Sequence, residues 1–386
     1  MPPSSGVADL LARLVAIDSR NPVLAPGAPG EGAIATAVAD FLHAAGLEVA
    51  WVAPQPARPS VVGRLRGTGG GRALLLNGHL DTVGFGGMPD PMTPRTENGR
   101  LYGRGAYDMK GGLAAILHAA ATLARGPRLR GDLIVTAVAD EEHASLGTEA
   151  VLAHLGPVAA TIGGAIVTEP TDLQICVAHK GFAWATFTTS GRAAHGSRRA
   201  DGIDAIAHMG RVLVALERLD AALQQRPAHP LLGHGSLHAS LIAGGTELST
   251  YPAHCELQVE RRTLPGETPA SVQAEFAAIV NALHTADPCF QGTATVTFVR
   301  PPLETPADSP IVQALTAAAT ATLGAAPPLV GATFWMDAAL LGAAGIPSIA
   351  FGPRGSGLHA DSEWVDLAGV EACAATLVAT ARAFCT

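Results

Sequence analysis

The sequence predicts an α/β protein with a mixed, mostly parallel sheet, interrupted by a smaller α+β domain. Two observations predict the first part. ALLLNG (73–78), DLIVTAVAD (132–140) and GGAIVTEP (163–170) are continuous apolar runs, the pattern of strands buried on both faces. Between the first two lies MKGGLAAILHAAATLAR (109–125), a helix with scarcely a polar face, so strand, helix and strand follow one another as in a parallel sheet covered on both sides. The third observation is a change of texture near Lys180, beyond which apolar and polar residues alternate as in strands with one wet face.

Taken in order, VADLLARLVAIDSRN opens the chain as an amphipathic helix. GTGGG (67–71) precedes a strand instead of following one, which makes it a turn and not a nucleotide fingerprint. After Lys180 come GFAWATFTTSG, a helix over 202–223, strands at 236–245 and 252–262, and a helix over 268–285. From about Pro301 the first texture returns in IVQALTAAATATL, DAALLGAAG and IPSIAFG. The expected domains are therefore 1–179 and 299–386 as one interrupted α/β domain, with 180–298 inserted as a smaller α+β domain.

Composition narrows the function. Of 386 residues 48% are hydrophobic and 15% charged, as in a compact protein and unlike a disordered one. A net charge of −8 gives a phosphate backbone no electrostatic attraction, which argues against nucleic acid as a partner. The stretch 329–352 carries Asp337 and is cut by Gly342, Gly345 and Pro347, short of the roughly 20 apolar residues of a membrane span, so no membrane partner is expected. Five cysteines without a C-x-x-C pair fit a reducing compartment, and the start shows no secretory signal, so the cytoplasm is the expected location.

In open α/β sheets, ligands bind beyond the carboxyl ends of the strands. The first run exits into His79 and Asp81, the second into Glu141 and Glu142, the third into Glu169, and a glycine-rich loop after 351 leads to His359. Asp108 precedes the long apolar helix. Alone, Asp108 would be a helix cap and the glutamates solvated loop acids. Together on one rim, these carboxylates repel one another next to a low-dielectric core, and few Lys or Arg residues lie nearby in sequence to offset them. A pair of divalent cations would. Histidine and carboxylate donors suit zinc, with cobalt or manganese as alternatives. One remaining acid could then move the proton of an attacking water, and adjacent Glu141 and Glu142 can divide the tasks of base and ligand.

GHLDTV (78–83), GRGAYDMKGG (103–112), ADEEHASLGTEA (139–150), VTEPTD (167–172) and FGPRGSGLHADSEWV (351–365) resemble the two-zinc amidohydrolases and exopeptidases that include acetylornithine deacetylase, succinyl-diaminopimelate desuccinylase and carboxypeptidase G. The resemblance runs nearly end to end. It implies a zinc-exopeptidase-like catalytic domain, with His79 and Glu169 on one metal, Glu142 and His359 on the other, and Asp108 bridging them before a cis peptide. It further implies Glu141 as the catalytic base and Asp81 as the acid that orients the His79 imidazole.

In the inserted domain, SGRAAHGS (190–197) resembles the segment whose histidine, here His195, stabilises the tetrahedral oxyanion, often from the partner subunit. VERRTLPGE (259–267) resembles the strand whose arginine, here Arg262, grips a substrate carboxylate. Two departures touch the substrate side: Ser249 and Asp204 each stand where the family often has asparagine. The resemblance thus implies hydrolysis of an amide bond in a small, carboxylate-bearing N-acyl amino acid, with 1–179 and 299–386 as the catalytic domain and 180–298 as a lid and dimerisation domain that pairs a homodimer. A carboxypeptidase or dipeptidase on the same machinery is the alternative. A non-catalytic metal-binding homologue is disfavoured by the presence of Glu141, and a serine hydrolase by the lack of any G-x-S-x-G.

Overall fold

The computed structural model describes residues 6–386, which form two compact units. The first runs to Val177 and resumes over Thr305–Val330 and Met336–Thr386; the second is Ala178–Glu304 with Gly331–Trp335. The chain returns to the first unit at Thr305, later than the expected 299. Strand Gln291–Arg300 still belongs to the second unit's sheet, and Leu303 and Glu304 pair with His179 and Ala178. The short piece around Trp335 was not anticipated. Its indole stands edge-on to His179 and Phe182 and donates to the Pro301 carbonyl at 3.0 Å.

In the first unit the sheet is parallel at its centre, where Leu133–Val138, Ala73–His79, Ile162–Val167 and Ser348–Ala350 lie side by side. Antiparallel strands flank them: Ser60–Leu65 and Glu48–Val52 on one side, Ile175–His179 on the other. All six residues of Leu133–Val138 are buried, as a continuous apolar run requires. Helices Val7–Val15, Gly111–Arg125, Pro310–Leu323 and Leu367–Phe384 pack as a group over the core. Leu367–Phe384, and not the stretch 329–352, is the one described helix long and apolar enough to cross a membrane; half of it is buried inside this core. A small antiparallel sheet joins Arg95–Glu97, Arg100–Tyr102, Trp364–Asp366 and Gly355–Ser356, tying together two sequence-distant loops.

The second unit follows the order strand, helix, two strands, helix, strand. Its antiparallel sheet runs Ser236–Gly244, His254–Thr263, Gly181–Ser190, Gln291–Arg300. Helices Ala205–Leu223 and Pro269–Ala286 bury Met209, Val212, Leu216, Val272 and Phe276 against it. The second helix starts at a capping box in which Thr268 and Ser271 accept each other's backbone N–H.

Candidate metal centre

Three neighbouring parallel strands end at one rim. His79 closes its strand and pairs in register with Val138, while Asn77 pairs with Val167 on the other side. The residues that follow these partners, Glu141, Glu142 and Glu169, therefore emerge beside His79. His359 comes from the loop between Gly355–Ser356 and Trp364–Asp366, in a left-handed conformation with φ +56°.

Asp108 is not a helix cap. The helix starts at Gly111, and Asp108 sits before it in a tight π-type turn with a cis bond to Met109. Buried Glu363 holds that turn: its carboxylate accepts the backbone N–H of Gly105, Tyr107 and Asp108 at 2.9, 2.9 and 3.0 Å, and pairs with Arg104 at 2.9 Å. Glycine is obligatory just beyond. A Cβ on Gly112 would lie 2.0 Å from the Thr168 carbonyl oxygen, and one on Gly352 would lie 2.1 Å from that of Glu169.

Asp108 divides its two oxygens between the histidines: His79 Nε2 stands 3.1 Å from Oδ1 and His359 Nε2 stands 3.3 Å from Oδ2. His79 Nε2 is also 3.9 Å from Glu169, and His359 Nε2 is 3.0 Å from Glu142. Ligand atoms of His79, Glu141 and Glu169, and of His79, Asp108 and Glu142, lie within 4.8 Å of one another in two overlapping groups. The other ring nitrogen of His79 is held at 2.9 Å by the backbone carbonyl of Asp81, where the carboxylate was expected. That carboxylate is 3.8 Å from the ring and is committed elsewhere, accepting the backbone N–H of Glu141 at 3.1 Å and of Glu142 at 3.2 Å.

The electrostatics are those of too many acids for the cations present. Burial and the charge of Glu169 raise Glu141 well above the usual carboxylate range. Burial raises Glu169 strongly as well, and burial with the charge of Asp108 pushes Glu142 up to about 7. Burial would lower His79, yet its hydrogen bond to Asp108 and the nearby glutamates hold it well above its ordinary value. Hydrogen bonds to Asp108 and Glu142 push His359 up to about 10, and against its burial the two imidazoles hold Asp108 below the usual range. Oε1 of Glu142 and Oε1 of Glu169 are buried without a hydrogen-bond donor. Orphaned carboxylate oxygens, imidazoles whose charged form the surrounding acids favour and one carboxylate shared by two rings are what cation ligands look like without cations, so this donor set fits divalent metal ions.

Residues 75–383 match the family model described as Peptidase family M20/M25/M40. The chain belongs to this family. It is a metallohydrolase acting on amide or peptide bonds. Acetylornithine deacetylase of Myxococcus xanthus is 31% identical over 329 residues, covering 83% of this chain and 82% of the relative. The M20 metallo-carboxypeptidase of Sulfolobus solfataricus superposes with a TM-score of 0.79 at 16% identity, over 99% of each chain. A dinuclear metal binding M20 peptidase of Bacillus subtilis gives 0.75 at 16% identity, over 98% of this chain and 97% of that one. At such identity the structural likeness is one of fold.

His195 and Arg262 lie in the second unit of this M20 chain. His195 is exposed on a loop that pairs with residues 249–251: Gly196 N–H donates to the Ser249 carbonyl at 2.7 Å and Tyr251 N–H to that of Ala194 at 2.8 Å. Its Nδ1 is 2.8 Å from Ser197 Oγ. Ser249 thus contributes backbone to the His195 loop, and Asp204 caps helix Ala205–Leu223 by accepting Ala207 N–H at 2.9 Å. Arg262, half-buried, pairs with Glu260 at 2.6 Å, whereas Arg261 points to the other face and is buried in ion pairs with Glu267 and Glu275.

Several residues around the centre escaped the sequence reading. Glu363 and Arg104 fix Asp108, and a buried polar cluster of Asn21, Glu31, Arg58 and Asp140 backs Asp81. Asp337 is fully buried, accepts the Thr148 hydroxyl at 2.6 Å and is pushed up to about 6 by burial. Glu363 and Asp140 fall inside motifs quoted for other residues, so a charged residue with no assigned task was their only signal. Asn21, Glu31 and Arg58 lie on separate segments and gave none.

Proposed function

We propose that this chain deacylates a small N-acyl amino acid bearing a free carboxylate, in the manner of acetylornithine or succinyl-diaminopimelate. The observation that carries this reading is the 31% identity to a named acetylornithine deacetylase across 83% of the chain. A carboxypeptidase or dipeptidase activity is the second reading, favoured by the peptidases among its fold neighbours.

In this reading His79 and Glu169 would hold one divalent ion, Glu142 and His359 another, and Asp108 would serve both; zinc is the preferred metal, with cobalt or manganese as alternatives. Two such ions would supply Lewis acidity to the scissile carbonyl and to the attacking water. Glu141, kept basic enough by its buried setting to hold a proton, takes one from the attacking water and hands it to the leaving nitrogen. Water adds to the carbonyl carbon, the C–N bond breaks, and a carboxylate and an amine result. Asp81 fixes the turn that carries Glu141 and Glu142. His195 steadies the oxyanion and Arg262, released from Glu260, reads the substrate carboxylate.

The second unit serves as lid and as the seat of a homodimer. Its edge strand Ser236–Gly244 supports this, with Leu241 65% and Ile242 55% exposed. No disulfide joins the cysteines among the described residues, which supports a cytoplasmic location.

Chelated protein reloaded with zinc or cobalt should be assayed on N-acetyl and N-succinyl amino acids and on dipeptides. Preferential turnover of an acyl amino acid supports the first reading, and preference for dipeptides supports the second. Activity indifferent to chelation contradicts both.

A further inference from the structure

Behind the turn that projects Glu141 and Glu142 lies a closed chain of polar contacts within the first unit. Asp81 Oδ2, besides accepting Glu142 N–H, accepts Asn21 Nδ2 at 2.8 Å. The same Asn21 amide donates to Asp140 Oδ1 at 2.9 Å, and Arg58 donates to that oxygen at 2.7 Å. Arg58 also makes a two-pronged pair with Glu31, at 2.7 Å on each oxygen, and Glu31 accepts the Asp140 N–H at 3.2 Å. The Arg58 side chain is 4% exposed, and those of Glu31 and Asp140 are completely enclosed.

Asp140 sits directly before the two glutamates with φ +69°, a left-handed conformation that a non-glycine residue holds only when its surroundings over-determine it. Here they do. Its N–H and one carboxylate oxygen are taken by Glu31, Arg58 and Asn21, and its carbonyl accepts the N–H of Ala144 at 3.1 Å. Three carboxylates, those of Glu31, Asp81 and Asp140, converge on one guanidinium and one amide. The guanidinium of Arg58 is the group that pairs with both Glu31 and Asp140, while the imidazoles of His79 and His143 stand farther off, 3.8 Å from Asp81 and 3.9 Å from Asp140.

We infer that Arg58 is a positioning residue for the metal centre: through Asp140 and Asn21 it fixes the Asp81 carboxylate and the turn that aims Glu141 and Glu142. The inference rests on the reading of Glu141 as base and Glu142 as ligand. A guanidinium is required because only a planar fork can serve both oxygens of Glu31 and reach Asp140 at once. Lysine would keep the charge and lose the fork.

The test uses the full chain as Arg58→Lys, Arg58→Ala and Asn21→Leu. Cobalt affinity of the chelated protein, read by competition with a chromophoric chelator, is expected to weaken by about 10- to 100-fold, the usual effect of losing a partner behind a ligand. The turnover number should fall by a similar factor, with KM changed by less than about threefold, since neither residue touches substrate. Guanidinium ion at non-denaturing concentration should restore cobalt affinity to Arg58→Ala, and equimolar urea should not. Folded variants that bind cobalt as the wild type does overturn the inference. So does loss of folding in both Arg58→Lys and Asn21→Leu, which would assign the cluster to the fold alone. A wild type that binds cobalt and hydrolyses none of the panel, while the variants bind more weakly, sinks the deacylase reading and leaves this one standing.

Discussion

Removing the metal should make the protein's stability depend on pH with a definite sign. Glu142 has a side chain 6% exposed and a folded-state value near 7, against an ordinary value of 4.5. Because the folded-state value is raised, its contribution is fully present below pH 4.5 and is lost as pH rises through 7, an effect of about 3 kcal/mol. Glu141 and Glu169 are raised as well and act in the same direction. His359 does too: its favourable contact with Asp108 and Glu142 is present below pH 6.5 and lost toward pH 10, though at 54% exposure solvent screens much of it. Asp108 has the opposite sign, but its window lies below pH 4.

The chelated protein should therefore melt at a lower temperature at pH 8 than at pH 5. Ligands must be deprotonated to bind metal, so added zinc should stabilise more at pH 8 than at pH 5. Differential scanning calorimetry at both pH values, with and without zinc, measures both changes. A chelated protein equally or more stable at pH 8, or a zinc-induced shift of the same size at both, would show that these buried acids do not set the pH dependence.

Glu141→Gln should lower the turnover number by about 100- to 10,000-fold while leaving the metal content unchanged, as elemental analysis beside steady-state kinetics would reveal. Glu363→Ala should destabilise the fold by about 3 to 5 kcal/mol in urea titration, because it strands buried Arg104 and frees the backbone of the Asp108 turn. Leu241→Glu on the exposed edge strand should convert a dimer to a monomer in analytical ultracentrifugation, with the far-ultraviolet spectrum unaltered.

The sequence made the strands legible wherever burial on both faces left a single reading, as in Leu133–Val138, and strand exits then located His79, Glu141, Glu142 and Glu169. Alternation did the same for the second unit. What stayed hidden was polar and non-local. Glu363 is 255 residues from the Asp108 N–H that it accepts, and Arg58 is 82 from Asp140, so no period or motif links them. Asp81 was visible as an acid beside His79, yet which of its atoms faces the ring depends on the backbone course after the strand. The start of the helix after Asp108 was displaced for a related reason: the turn held by Glu363 consumes Asp108 and Met109 before helical geometry can begin at Gly111.

In the proposed metal centre, acids and imidazoles from five segments of the chain are reconciled by two cations sharing Asp108. Crystals loaded with cobalt and measured across its absorption edge would test it most directly. Two anomalous peaks per chain are expected, one beside His79 and Glu169 and one beside Glu142 and His359, each in contact with a different oxygen of Asp108. A single peak, or peaks remote from Asp108, would contradict it.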